Sequence, residues 1–312
     1  MLATYDRSGF VEGEHRGHAV VVDPAGAIVS AWGDPDHALM ARSSAKPMQA
    51  SAMVRLGLDL PGPLLALTAS SHSGERRHLQ GVTTILASAG LDASALQTPA
   101  DFPLDPRARD AWVQSGRAPA PIAMNCSGKH ASMLATCVRQ GWSVTDYRDP
   151  DHRLQQAILA EVQQLTGDEI PPVGIDGCGA PVHVMTLAGL ARSLSRAVLA
   201  DPGDSSRQVV DAMRDHPEMV GGMNRDVTHF MRAVPGMVAK DGAEGVYVAA
   251  LADGTAVAIK AEDGAARARQ VALATILMKL SPADASALEG LASIPLLGGG
   301  RRVGEVRSTL RP

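Results

Sequence analysis

The chain has 312 residues, a formal net charge of −4 and 45% hydrophobic residues, with few aromatics. That length allows a large buried core, and mild acidity with scattered Lys and Arg argues against a nucleic-acid or membrane-surface partner. Residues 1–18 hold no apolar signal-like core, no apolar run is long enough to span a membrane, and three cysteines cannot all pair, so a reducing cytoplasm is expected.

Residues 18–33 read as a hairpin, two apolar runs about the turn Asp23-Pro24-Ala25-Gly26. The stretch Arg42-Ser43-Ser44-Ala45-Lys46-Pro47 then opens a helix, since proline is tolerated in a first helical turn. That helix is expected to reach Leu56, with Met48, Ala52, Met53 and Leu56 on one side, and to end at Gly57 and Pro61-Gly62-Pro63. A short apolar segment, 64–68, runs into Ala69-Ser70-Ser71-His72-Ser73-Gly74-Glu75, and a second helix covers about 77–89. Residues 97–123 read as a long irregular connection. Met124-Asn125-Cys126-Ser127-Gly128-Lys129-His130 opens a helix to about Arg139, and 151–165 is helical up to Gly167. Residues 171–181 are too rich in glycine to be regular. Helices follow over about 182–199 and 205–214, the latter capped by Asp204 or Ser205. In the last third, runs 245–251 and 255–261 about Ala252-Asp253-Gly254 give the strongest hairpin signal, before a helix over about 264–280. Strands at both ends with helices between them predict an α/β (α+β) chain of one domain. An antiparallel sheet is built from about 1–70 and 235–312, with a helical lobe inserted over about 71–234.

Ser43 and Lys46 are three apart, so on a helix they share a face with Cβ atoms about 5–6 Å apart. A serine hydroxyl attacks only when a base takes its proton, and a lysine serves as that base when burial or nearby cations lower its pKa. A helix cap followed by an exposed lysine gives the same pattern. Cys126 and Lys129 repeat the spacing at another helix start. With the distant Cys178 they offer two sulfurs to a soft divalent metal such as zinc, although no Cys-x-x-Cys pair is present and two buried thiols read the same way. Lys240-Asp241-Gly242 lies just before the strong hairpin, in the manner of the lysine-containing edge strand of penicilloyl-serine enzymes, or as a plain turn. Lys260 closes the second strand of that hairpin, its face undecided. His72, His130, His183 and His216 have no fixed partner in sequence, and none is given a proton-transfer role.

Taken in order, several segments resemble one family: Arg42-Ser43-Ser44-Ala45-Lys46-Pro47-Met48-Gln49-Ala50, Ala69-Ser70-Ser71-His72-Ser73-Gly74-Glu75, Asn125-Cys126-Ser127-Gly128-Lys129-His130, Asp176-Gly177-Cys178 and His216-Pro217-Glu218-Met219-Val220. They look like the rhizobial-type, or class 3, L-asparaginases (the asparaginase II family), and the resemblance spans nearly the whole chain. It implies a fold similar to serine β-lactamases and glutaminases, an antiparallel sheet flanked by helices with an α-helical lobe. It also implies a homodimer that hydrolyses L-asparagine to L-aspartate and ammonia. Carried over by position, Ser43 with Lys46 and Ser71 with Lys260 are the catalytic pairs, and Cys126, Lys129 and Cys178 are the zinc ligands. Arg42, His72, Asp176 and Lys240 are the candidate substrate-binding residues. Aspartate at 241 replaces the serine of related glutaminases, and Ser44 adds a hydroxyl beside the nucleophile.

The expected chemistry is acyl transfer. Lys46, relieved of its proton by burial and by Lys260, accepts the Ser43 proton as Ser43 attacks the side-chain amide, and Ser71 with Lys260 relays a proton to the leaving ammonia. A glutaminase, a β-lactam hydrolase on the same scaffold, and a catalytically silent zinc or amino-acid-binding protein are the alternatives.

Overall fold

The computed structural model describes residues 1–170 and 174–311, so the first three positions of the glycine-rich stretch 171–181 lie outside the described residues. The chain opens with a hairpin of Ala3–Arg7 (β1) and Phe10–His15 (β2), whose two-residue turn takes positive φ at Ser8 (52°) and Gly9 (82°), as twisted hairpins require. Gly17–Val22 (β3) and Ile28–Trp32 (β4) form the expected hairpin over 18–33; Asp23 Oδ1 closes its turn by accepting from the N–H groups of Ala25 and Ala27, each at 2.9 Å. Ala38–Met40 (β5) leads into a tight 3-10 turn, Arg42–Ala45, that runs directly into Lys46–Arg55 (α1), with Pro47 in the first turn.

The helical layer follows: Gly62–Thr68 (α2), Arg76–Ser88 (α3), Pro106–Gln114 (α4), Ser127–Gln140 (α5) and Arg153–Thr166 (α6). Two differences from the sequence reading have local causes. The apolar stretch 64–68 is helical because Pro63 sits at the helix start, where its missing N–H is not needed. The connection 97–123 contains α4 because Asp105 caps it, accepting from Ala108 N–H, with Pro106 behind the cap. Gly167 ends α6 in the left-handed region (φ 79°). Gly174–Ile175 (β6), Pro181–Val182 (β7) and Val184–Thr186 (β8) come next. The helix expected over 182–199 begins only at Leu187–Leu199 (α7), because β8 pairs with β5 and Thr186 then caps the helix, accepting from Gly189 N–H. Ser205–Asp215 (α8), capped by Asp204, precedes Pro217–Val220 (α9) and Asp226–Ala233 (α10).

Val238–Asp241 (β9), Val246–Ala250 (β10) and Ala256–Ala261 (β11) form the strong C-terminal hairpin and its neighbour, before Ala266–Leu280 (α11) and Ala285–Leu288 (α12). Ser293–Gly298 (β12) and Arg301–Ser308 (β13) close the chain. Antiparallel pairing gives a central sheet in the order β4-β3-β11-β10-β9, so both ends of the chain build it. A second sheet, β12-β13-β1-β2, again joins the two ends. Helices α7 and α11 pack on the central sheet, and every residue of β9 and β10 is buried, as strands are when both faces are covered. Among the described residues no single helix is long and apolar enough to cross a membrane.

Two contacts set the position of the α1 start. Glu161 of α6, itself buried, accepts from Ser51 Oγ (2.5 Å) and Arg55 Nε (2.9 Å) of α1. On the other side Gly242, just beyond β9, lies so close to the Arg42–Ala45 turn that a Cβ there would stand 2.8 Å from Ser44 Oγ and 2.9 Å from Ala41 O. Gly242→Ala must therefore push β9 and the turn apart. A loss of about 1–3 kcal/mol is expected, the usual cost of overpacking, read as a lower urea midpoint with an unchanged slope.

Candidate active site

Ser43 stands in the 3-10 turn immediately after Arg42, whose φ of 51° puts a bulky residue in the left-handed region. Such strain persists only where the surroundings fix it, and it concentrates at working sites. Lys46 follows one turn later, almost fully buried at 1% exposure. Its Nζ donates to Ser70 O (2.5 Å) and Ser71 Oγ (3.0 Å) and lies 3.1 Å from Cys126 Sγ. The Ser71 segment is pinned on both sides, since Ser71 N–H donates to Val220 O (3.0 Å) and His72 N–H to Asn125 O (3.1 Å). The structure thus brings Lys46, Ser71 and Cys126 together; Ser43, half-buried, stands one turn before Lys46, and among the described residues its hydroxyl makes no hydrogen bond.

Of the two candidate lysines, Lys240 is the buried one, within range of the Lys46 charge, and Lys260 is the more open one. Lys260 turns its Nζ to the carbonyls of Glu244 (2.5 Å) and Ala261 (2.8 Å), and Glu244, Asp263 and Glu262 are the charges around it. Among the described residues it makes no hydrogen bond to Ser43, Lys46 or Ser71; on β11 it pairs with Val246 and His18. Lys240 on β9 is wholly buried, donating to Asp241 O and Asp241 Oδ1 at 2.7 Å each. Burial pushes its ammonium down to about 8, with the charge on Lys46 adding to that effect and Asp241 opposing it. Asp241 cannot serve Lys240 alone. Its Oδ2 also accepts from Arg225 Nη2 and, at 3.5 Å, faces Arg269 Nη2. Despite its burial, Lys240, Arg225 and Arg269 hold its carboxyl well below the ordinary carboxylate range.

The first turn of α5 carries the other half of the site. Gly128 allows it to approach α2, for a Cβ there would stand 2.6 Å from Leu67 O. Cys126 and Cys178 are buried sulfurs in one small cluster, and Lys129 Nζ lies 3.3 Å from Cys178 Sγ. Cys126 Sγ–H donates to Asn125 Oδ1 (3.1 Å), and the neighbouring Cys178 sulfur together with burial pushes the Cys126 thiol up. The Cys126 sulfur, with Lys129 and His130 nearby, holds the Cys178 thiol far below its usual range. Burial works against the Lys129 ammonium, but Cys178 and Cys126 outweigh it and raise its proton affinity. Among the described residues no group of three His, Cys, Asp or Glu side chains is spaced to hold a metal ion. The donor set that is present, two sulfurs in contact and an amine beside them, is the kind a soft divalent cation takes once the amine gives up its proton.

Arg42 and Asp176 form an ion pair at the rim, Arg42 Nε to Asp176 Oδ1 at 2.7 Å, with both groups partly open to solvent. His72 is placed otherwise than its expected substrate-binding role requires. It is wholly buried, its Nδ1 accepts from Gly74 N–H (3.1 Å), and its Nε2 meets Ser127 Oγ (2.8 Å). Burial holds it neutral, and both nitrogens are used inside the scaffold. Ser44 donates from Oγ to Lys240 O (3.3 Å), tying the Arg42–Ala45 turn to β9.

Residues 3–308 match the family described as L-asparaginase II. The chain belongs to the asparaginase II family. That membership places it among the amidohydrolases and implies a small-molecule amide as substrate. No curated protein matches it in sequence. Among solved structures, a β-lactamase from Mycobacterium bovis aligns at 14% identity and a TM-score of 0.43, covering 88% of this chain and 94% of that one. A Bacillus glutaminase aligns at 12% identity and a TM-score of 0.39, covering 85% and 91%.

The resemblance set Lys260 in the catalytic pair and Lys240 among the substrate-binding candidates, and the burial that separates the two is a property of the fold with no signal in sequence. Lys46, Lys129 and Lys240 are the three that are buried. Arg225 and Arg269, far apart in sequence, had no signal there at all.

Lys240 supplies a stability test. Its pKa falls from 10.5 in an unperturbed chain to about 8 in the fold. Between those values the unfolded chain holds the proton and the folded one does not, so stability rises with pH across that window. The unfolding free energy of the wild type relative to Lys240→Met, from urea titrations, is expected to increase between pH 8 and 10.5 and to be flat below about pH 7. A difference that ignores pH would overturn the assignment.

Proposed function

We propose that this chain is an L-asparagine amidohydrolase that works by acyl transfer through Ser43. The observation that carries the reading is the buried Lys46 amine, 3.0 Å from Ser71 Oγ and one turn after Ser43 on a strained backbone. Ser43 Oγ attacks the side-chain amide carbon as the Lys46 amine accepts its proton. Contacts of this kind are often loose without substrate and tighten in the complex. Ser71 then passes a proton to the departing nitrogen, ammonia leaves, and water cleaves the Ser43 ester to release aspartate. The Ser43 N–H, at the start of a helical turn, is suited to the oxyanion; such a donor typically contributes about 2.7–4 kcal/mol.

Lys240 takes the place first expected for Lys260. Burial drives Lys240 towards neutrality, so it can share in the proton transfer. The Arg42–Asp176 pair supports an amino-acid substrate, because a guanidinium and a carboxylate 2.7 Å apart complement the α-carboxylate and α-ammonium of a zwitterion. Asparagine is preferred over glutamine on the family likeness; one methylene is worth about 1–3 kcal/mol of discrimination. Zinc fits this reading, held by Cys126, Cys178 and the Lys129 amine. When bound it would fix the two sulfurs and the Asp176 loop relative to α5. The family likeness likewise supports a cytoplasmic homodimer.

Ammonia release from asparagine and from glutamine tests the assignment. Ser43→Ala is expected to fall by at least about a thousandfold, and Lys240→Met by about 10²–10⁴-fold. Lys260→Met is expected to leave turnover nearly unchanged. Near-normal release from folded Ser43→Ala would overturn the acyl-enzyme reading, and equal losses at both lysines would overturn the choice of Lys240.

A further inference from the structure

The connection 97–123 holds a feature that the reaction does not use. Its helix α4 stands across from α3, and the two line a cleft of about 900 Å³, within the range of about 300–1,000 Å³ that small-molecule sites occupy. None of its lining residues is among those placed at Ser43, at the sulfur pair or at the Arg42–Asp176 rim. Leu79 of α3, Ala108, Ala111 and Trp112 of α4, and Ile122 beyond it supply an apolar lining. Several polar groups there already have partners. Thr83 Oγ1 donates to Leu79 O (3.0 Å) and Thr84 Oγ1 to Gln80 O (2.9 Å) within α3, and the buried Trp112 indole N–H donates to Ala118 O (2.9 Å).

Two guanidinium groups complete the lining, those of Arg76 and Arg117, and no carboxylate does. Arg117 is built in place. Its backbone N–H donates to Trp112 O (3.3 Å), its Nε donates to Ser115 Oγ (2.9 Å), and its guanidinium carbon lies 4.3 Å from the centre of the Trp112 ring. Among the described residues its Nη groups have no hydrogen-bond partner. Arg76 has none there either, and Glu75, the acid next to it in sequence, accepts from Met223 N–H (2.7 Å) and faces Arg77 Nε (3.2 Å) instead. An arginine already held over an aromatic ring loses little freedom on binding, and its charge-assisted hydrogen bonds favour an oxyanion.

We propose that this cleft binds a small amphipathic organic anion, with its apolar body against Trp112, Ala108 and Ala111 and its charged end at Arg117 and Arg76. The proposal is independent of the zinc and acyl-transfer readings. A polyol fits the cleft poorly, because the threonine hydroxyls keep their protons inside α3. An uncharged apolar molecule gains nothing from the two cations.

Fluorescence titration of the full-length protein with anilinonaphthalene sulfonate, an aromatic anion, tests this, with uncharged phenylnaphthylamine as its comparison. One sulfonate per chain is expected to bind. The Arg76→Gln/Arg117→Gln double variant is expected to bind the sulfonate about tenfold more weakly and phenylnaphthylamine as the wild type does. Ala111→Trp, which fills the cleft, is expected to weaken both probes. Ammonia release without probe is expected to match the wild type in both variants. Failure of the folded wild type to bind the sulfonate would overturn the proposal, including the case in which a second copy covers the cleft. Undiminished sulfonate binding in either variant would overturn it too, as would a double variant that loses both probes alike. Should the variants not fold, the wild type alone decides. Added salt is expected to weaken its sulfonate binding and spare phenylnaphthylamine, and sulfonate binding indifferent to salt would overturn the proposal.

Discussion

The site depends on removing three ammonium groups from water. Lys46, Lys129 and Lys240 are each within 1% of complete burial, and an isolated charge in such a place costs several kcal/mol unless a partner meets it. The three partners differ in kind. Lys129 faces a sulfur that carries charge, Lys240 faces a carboxylate that two arginines also claim, and Lys46 faces a carbonyl, a hydroxyl and a sulfur. Proton affinity follows the partner. Lys129 is raised by its thiols, whereas Lys240 is lowered, because burial and Lys46 outweigh what remains of Asp241. One residue type thus supplies an anchored cation and a group poised to lose its proton.

The fold delivers these lysines from three directions. Lys46 begins α1, Lys129 lies in the first turn of α5, and Lys240 is on β9 of the central sheet. A helix N-terminus carries partial positive charge, so neither helix start is a favourable place for an ammonium. Sulfur and carbonyl partners at both starts offset this, and the close approaches at Gly242 and Gly128 bring those partners within reach. The glycines act here through absence of volume, and a methyl group at either would move a lysine away from its partner.

Much of this was legible in the sequence where chemistry is local. The hairpins over 18–33 and 245–261 appear as β3–β4 and β10–β11, because alternating apolar runs about Asp-Pro-Ala-Gly and Ala-Asp-Gly leave few other conformations. The α1 start fell inside the Ser43 motif, as Pro47 demanded. What failed were readings that needed long-range pairing. The strand β8 reads as helix by composition and becomes a strand only by meeting β5, more than a hundred residues earlier. The residues after 280 were assigned to the sheet lobe without named elements, and they form β12 and β13 against the N-terminal strands. Lys260 and Lys240 lie on neighbouring ladders of one sheet, and which of them faces α1 is a matter of register. Spacing in sequence does not contain that. His72 was misread for a related reason: it stands in a motif beside Ser71, but the ring turns inward to Ser127.

The two Lys motifs have the same spacing, three residues after Ser43 and three after Cys126, yet they are not equivalent, and the sulfur pair separates them. Cys126 touches Lys46 and Cys178 touches Lys129. The Cys126 Sγ–H donates to Asn125 Oδ1 (3.1 Å), so the sulfur beside Lys46 has an acceptor of its own, whereas Lys129 meets Cys178. Lys129 lies on the Cys178 side, so the ammonium of α5 faces that sulfur and not Cys126. The sulfur pair and the Lys46–Ser71 contact therefore adjoin, and Cys126 is the side chain they share.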